Sequence, residues 1–296
     1  MEHKFKGTGV ALVTPFHKYG TIDFTSLEKM VEHVIGGGVN YLVVLGTTGE
    51  SSTMSDDERN AVIEFVIETC NKRLPVVIGV GGNNTQEIVN RIKNMSFDGI
   101  DGILSVCPYY NKPQQKGIFY HYTTIASVCP VPIILYNVPG RTGTNMKAET
   151  TVQLAKEVDN IVAIKEASGN FSQIMEILRG KPEDFTVISG DDALTLPLMA
   201  LGAEGVISVV ANAFPSEFSK MVNLCLAHKF ADAQKIHYAL LPFIEKLFED
   251  GSPGGVKAAL QIMGLCENSL RLPVVKVNKA IYFQLQQLIN EFSSNK

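Results

Sequence analysis

Short runs of β-branched and aliphatic residues recur along the chain, and between them apolar positions fall three and four residues apart. The runs predict strands at residues 10–14, 41–45, 76–79, 102–106, 133–136, 162–165, 186–189 and 205–208. Most are apolar at successive positions instead of alternating, so both faces are covered, as in a parallel sheet under helices. Residues 55–70 are a typical intervening segment: Val62, Phe65, Val66 and Thr69 keep helical spacing, and Ser55 with Glu58 forms a capping box. Eight such units predict an α/β fold of the closed (β/α)8 TIM-barrel type, with a doubly wound open sheet as the alternative. From about residue 229 the strand pattern stops, and helical stretches follow at 231–248, 255–263 and 279–292. The expected organisation is a barrel over 1–228 and a C-terminal helical extension over 229–296 packed on it.

Polar residues are spread unevenly. Nearly every predicted strand runs into small, polar or charged residues at its C-terminal end: Thr14-Pro15, GTTGES (46–51), GVGGNN (79–84), CPYYNKP (107–113), YNVPGRT (136–142), KEASGN (165–170), SGDD (189–192) and SVVAN (208–212). In a parallel barrel those ends form the mouth where substrates bind.

Composition narrows the classes. The chain has 296 residues, 45% of them hydrophobic, enough for a sizeable core. A net charge of −4 offers no basic footprint for nucleic acid or an anionic membrane. No apolar run has the length of a membrane span, and the N-terminal residues lack a signal-type apolar stretch, so a cytoplasmic protein is expected. The five cysteines form no C-x-x-C pair and read as free thiols. The six histidines show no H-E-x-x-H or paired spacing, so no metal site is expected. GVGGNN lacks the third glycine of a dinucleotide loop, and Asp101 precedes a strand instead of following one. Asp191-Asp192 is expected to cap a helix over 193–201.

Three places could carry chemistry. Lys165 ends an apolar strand, and burial inside a barrel favours the neutral amine that attacks a carbonyl. The plainer reading is a lysine reaching out to pair with Glu166. Tyr136 ends the preceding strand, so its hydroxyl could move protons beside that amine, or its ring could simply pack at the rim. Gly46–Glu50 sets two hydroxyls and exposed amides at a strand end, suited to a small carboxylate or to an ordinary turn.

Taken together, GTTGES, PYYN, YNVPGRT, IKEASG and SGDD, in this order and spacing, resemble the dihydrodipicolinate synthase/N-acetylneuraminate lyase family of class I aldolases. The likeness covers nearly the whole chain. It implies a barrel with C-terminal helices, assembled as a homotetramer and working without a cofactor or metal. It also implies condensation of pyruvate with aspartate 4-semialdehyde on the route to diaminopimelate and lysine. By resemblance, Lys165 is the Schiff-base lysine, Tyr136 the proton donor and acceptor, and Thr47 the relay threonine. Tyr110 matches a tyrosine that completes the relay in a neighbouring subunit. Thr48 matches the contact to the pyruvate carboxylate, joined by main chain near Ile207 and Gly190, and Arg141 meets the carboxylate of the second substrate. Free lysine binds inhibited family members where two subunits meet. The matching positions here are Ser51, Ser52, Asp56, Arg59, Asn83, Glu87 and Tyr109, with Asp56 and Arg59 standing where histidines are common. Residues 251–257, GSPGGVK, depart from the usual Asn-Pro-x-Pro-Val-Lys and read as a peripheral loop remote from the chemistry.

Other readings remain open at this level. A sugar-acid lyase of the same family would share Lys165 and Tyr136, although Arg141 suits a short charged aldehyde better than a polyhydroxyl chain. A phosphate-binding isomerase would want a glycine-rich loop after the seventh and eighth strands, where SGDD and SVVAN stand. A ligand-sensing barrel would have no need of Lys165 or Tyr136.

Overall fold

The computed structural model of the chain describes residues 4–294. Eight parallel strands follow one another around a closed barrel: β1 (Gly7–Ala11), β2 (Tyr41–Val44), β3 (Val76–Gly79), β4 (Gly102–Val106), β5 (Ile133–Asn137), β6 (Ile161–Glu166), β7 (Thr186–Ser189) and β8 (Gly205–Ser208). The β1–β8 ladder, with Gly7 opposite Gly205 and Val10 opposite Ser208, closes the sheet and excludes the open alternative. Helices in the connections complete a (β/α)8 TIM barrel.

Closure follows from burial on both faces. Val44, Ile78, Ile103, Leu135 and Ile164 point outward into the large core shared with the helices. Their strand neighbours Val43, Val77, Leu104, Ile134 and Ala163 form a second cluster that fills the barrel. Each fully buried aliphatic side chain of this size contributes about 1.5–3 kcal/mol, so neither face tolerates water. Phe5 and Tyr41 close the N-terminal end, ring against ring at 5.7 Å, and burial pushes the Tyr41 phenol above its usual range.

Two expectations need correction here. The first strand is Gly7–Ala11, not 10–14. Its opening glycines hide it from a hydrophobic pattern, yet Gly9 is required: a Cβ there would lie 2.3 Å from the Tyr41 ring. Past Ala11 the pattern continues but the ladder soon ends, because the Val13 N–H is taken by the Asn212 side chain at 3.1 Å. The second correction concerns the acid pair. Asp191 does accept the N–H groups of Ala193 and Leu194, ahead of a shorter helix, Thr195–Ala200. Asp192 turns inward instead, accepting the Ser208 hydroxyl at 2.5 Å and the amides of Val209 and Val210 at 3.1 and 3.3 Å. It clamps the end of β8. Burial pushes its carboxyl up to about 6 against those donors.

Elsewhere local signals held. Ser55 and Glu58 exchange their capping bonds at the start of the helix Asp56–Cys70. After β8 the strands cease and the helices Phe230–Glu249, Gly254–Ile262 and Lys279–Ser294 follow. Phe214, just beyond β8, meets Phe243 and Phe292 at 4.9 and 4.8 Å, so the last helices lean on the barrel. Among the described residues no helix is long and apolar enough to cross a membrane, and all five cysteines are free and buried.

Candidate active site

Tyr136 and Lys165 are each the penultimate residue of their strand, and the β5–β6 ladder sets them directly opposite one another. Residues level with each other in a parallel ladder point the same way, so both side chains enter the barrel. The Lys165 Nζ lies 4.4 Å from the centre of the Tyr136 ring. Both side chains are largely shielded from water, with 5% and 6% of their surface exposed. Glu166 leaves the opposite face of β6. Its carboxylate accepts the Ser168 N–H at 2.8 Å, the Asn137 amide at 3.1 and 3.2 Å, and the Gln173 amide at 3.2 Å. Burial still pushes its carboxyl above the usual range. The lysine amine is therefore turned away from its neighbouring acid.

Above the pair opens a cavity of about 290 Å³, walled by Thr47, Thr48, Tyr136, Arg141, Lys165, Gly190, Asp191 and Val209. Ile244, Glu245, Phe248 and Ser252 come down on it from the C-terminal helices. Thr47 and Thr48 arise from a single tight helical turn after β2, Thr47–Gly49, closed by the Glu50 N–H donating to the Thr47 carbonyl at 3.1 Å. The Thr14 hydroxyl pins the same turn by donating to the Gly49 carbonyl at 2.8 Å. Arg141 stands on the short helix Pro139–Thr142, at the rim, within 3.4 Å of the Ser252 carbonyl. The arrangement offers an amine, a phenol, two hydroxyls and a guanidinium around one small space. Among the described residues no three His, Cys, Asp or Glu side chains cluster as metal ligands.

The remaining expected residues fall differently. Gly190 lines the cavity, and a Cβ there would lie 2.6 Å from that of Ala167, but its own N–H is spent on the Glu166 carbonyl at 2.8 Å. Ile207 lies level with Gly9 in the β1–β8 ladder, and the cavity wall is Val209 instead. Tyr110 is outside its own chain's cavity, 83% exposed, with a left-handed φ of 75°. A second cavity of about 410 Å³ shares Thr47, Tyr136 and Arg141 with the first and extends to Ser51, Ser52, Arg59, Arg91 and Tyr109. Asp56, Asn83 and Glu87 do not line it. Arg59 donates to Asp56 at 2.8 Å and to the Ser51 carbonyl at 3.1 Å. Burial, with Arg59 nearby, holds Arg91 below its usual range.

The stretch 251–257 is not peripheral. Ser252 reaches the cavity, and Lys257 is fully buried, its Nζ donating to Glu50 at 2.5 Å and to the Ser269 carbonyl at 2.8 Å. The Lys257 Nζ also sits 4.1 Å from the centre of the Phe16 ring, with the Arg271 guanidinium 4.4 Å from that same centre. Burial lowers the lysine from its usual range while Glu50 opposes the shift. Removing one partner of such a pair typically costs about 3–5 kcal/mol. The available signal was a single charged residue, a lysine, inside an otherwise uncharged helix, GGVKAALQI.

The chain resembles known proteins over nearly all its length. Residues 4–292 match the dihydrodipicolinate synthetase family. The 4-hydroxy-tetrahydrodipicolinate synthase of Parabacteroides distasonis is 50% identical over 288 residues, covering 97% of each chain. The crystal structure of dihydrodipicolinate synthase from Aquifex aeolicus superposes with a TM-score of 0.94 at 40% identity, covering 98% of each chain. The synthase of Cyanidioschyzon merolae, solved with lysine bound, gives 0.95 at 39% identity over 99% of each.

Proposed function

The chain belongs to the dihydrodipicolinate synthetase family, and from that premise we propose how its residues carry the reaction. The enzyme is a lyase of the class I aldolase type, with 4-hydroxy-tetrahydrodipicolinate synthase activity: it condenses pyruvate with aspartate 4-semialdehyde. The observation that carries the assignment of roles is the Lys165 amine beside the Tyr136 ring in the wall of the cavity at the barrel mouth.

The Lys165 amine adds to the pyruvate ketone, and loss of water leaves a protonated imine. That cation draws electrons from the methyl carbon, which gives up a proton to form the enamine; the iminium takes the part a metal would otherwise play. Tyr136 moves protons on and off the carbinolamine oxygen, with Thr47 as its relay. Thr48 holds the pyruvate carboxylate, and main chain near Gly190 and Ile207 packs beside it. With its N–H already committed, Gly190 contributes shape more than a donor. The enamine carbon then attacks the aldehyde, whose own amine displaces Lys165 and closes the ring. Arg141 at the rim meets the carboxylate of this second substrate, which favours the short charged aldehyde over a sugar acid.

Tyr110 completes the relay of a neighbouring subunit in a homotetramer; its exposure and its place outside the lining of its own cavity support that role. The enzyme works in the cytoplasm, where free, buried cysteines are at home. Borohydride reduction in the presence of pyruvate tests the assignment. Mass spectrometry should find a three-carbon adduct on Lys165, with activity lost in proportion. An adduct on another lysine, or none, refutes the mechanism.

A further inference from the structure

Neither the Thr47 nor the Thr48 hydroxyl is held by a side chain among the described residues, so their aim depends on the backbone of the turn. That backbone is unusual at one point. Glu50, which follows the turn, is a non-glycine residue in the left-handed region, with φ 54° and ψ 31°, and it is 3% exposed. A side chain there is strained unless its surroundings insist on the conformation. The surroundings come from the far end of the chain. Lys257 donates to Oε1 of Glu50, and the backbone N–H of Arg271 donates to Oε2 at 3.0 Å. Both anchors are secured in turn: Lys257 by the Ser269 carbonyl and the Phe16 ring, Arg271 by Glu58 and by the carbonyls of Gly20 and Thr53.

We propose that the buried Glu50–Lys257 pair is a positioning tether, by which the C-terminal helices hold the Thr47–Thr48 turn in the geometry that captures pyruvate. The inference rests on the carboxylate and relay roles given above to those threonines. The task is one of registry, the best-attested use of buried polar groups, and the contacts are directional hydrogen bonds. Two donors on one carboxylate fix both the reach and the rotation of Glu50. Since Glu50 is two residues from Thr48, a change at either end of the tether moves the hydroxyls. The altered stretch 251–257 thus belongs to the site while touching no reacting atom through Lys257.

The test is the full-length double variant Glu50→Gln/Lys257→Met, which removes both charges and keeps their volumes. Circular dichroism and thermal melting report the fold; borohydride trapping and initial rates report pyruvate capture. A folded double variant should lose on the order of 10- to 100-fold in kcat/KM for pyruvate, while KM for aspartate 4-semialdehyde stays within about twofold. Capture and pyruvate KM unchanged in the folded variant overturn the proposal. If the double variant fails to fold, Glu50→Asp, which keeps the charge but draws the turn toward Lys257, must show the same selective loss, and its absence is equally decisive. Thr48→Val run in parallel keeps the two readings apart. An unchanged pyruvate KM there removes Thr48 as the carboxylate contact, whereas an unchanged pyruvate KM in the tether variants removes the tether.

Discussion

Lys165 and Glu166 are neighbours in sequence whose side chains leave β6 on opposite faces, one into the barrel beside Tyr136 and the other out against Asn137 and Gln173. Strand alternation alone separates them. The amine therefore faces a phenol and a cavity, while the acid serves the wall between the barrel and the helices around it.

Glu166→Gln tests that separation. The variant keeps an acceptor for the Ser168 N–H but places an amide where the Asn137 and Gln173 amides donate. It should lose about 1–3 kcal/mol of stability, measured by urea unfolding, and still form the pyruvate imine on Lys165. Loss of imine formation in a folded variant would show that Glu166 acts on the amine.

Arg141→Ala should separate the two substrates. Losing a charge-assisted contact of about 1.5–3 kcal/mol raises KM for aspartate 4-semialdehyde roughly 10- to 150-fold, with pyruvate imine formation nearly intact. Steady-state kinetics in both substrates decides it. An equal loss of pyruvate capture would make Arg141 a structural residue and would favour the sugar-acid reading.

Inhibition by lysine should be weak or absent. The second cavity presents Arg59 and Arg91 to an incoming cation, and Arg59 is already engaged with Asp56. Losing one or two contacts of about 1–2 kcal/mol each weakens binding roughly 5- to 800-fold. Initial rates against lysine concentration measure this, and half-inhibition well below millimolar lysine would contradict it.

Asp192 carries a pH signature. Its carboxyl is raised to about 6 in the folded chain, against about 3.9 when unfolded. Between those values the folded state binds the extra proton, so this contribution is present below about pH 4 and is lost as pH rises through 6. The loss amounts to roughly 3 kcal/mol. Asp192→Asn mimics the neutral acid, so the stability difference between variant and parent should grow in the variant's favour from pH 4 to 7. Parallel pH curves would remove the assignment.

The eight-strand rhythm, the Ser55 capping box and the placement of Lys165 and Tyr136 at adjacent strand ends were legible in the sequence, because each is a local pattern set by burial or by backbone hydrogen bonds a few residues apart. The recognisable motifs added the expected roles, since they lie in those same local segments. What tertiary structure alone decided is long-range. Position 9 of β1 must be a glycine because a ring from β2 fills the space above it. Asp192 abandons its helix for Ser208 on the next strand. Glu50 finds Lys257 across 207 positions. In each case the deciding energy is the desolvation or close contact of two groups that meet only after the barrel has closed, and no periodicity along the chain records which groups will meet.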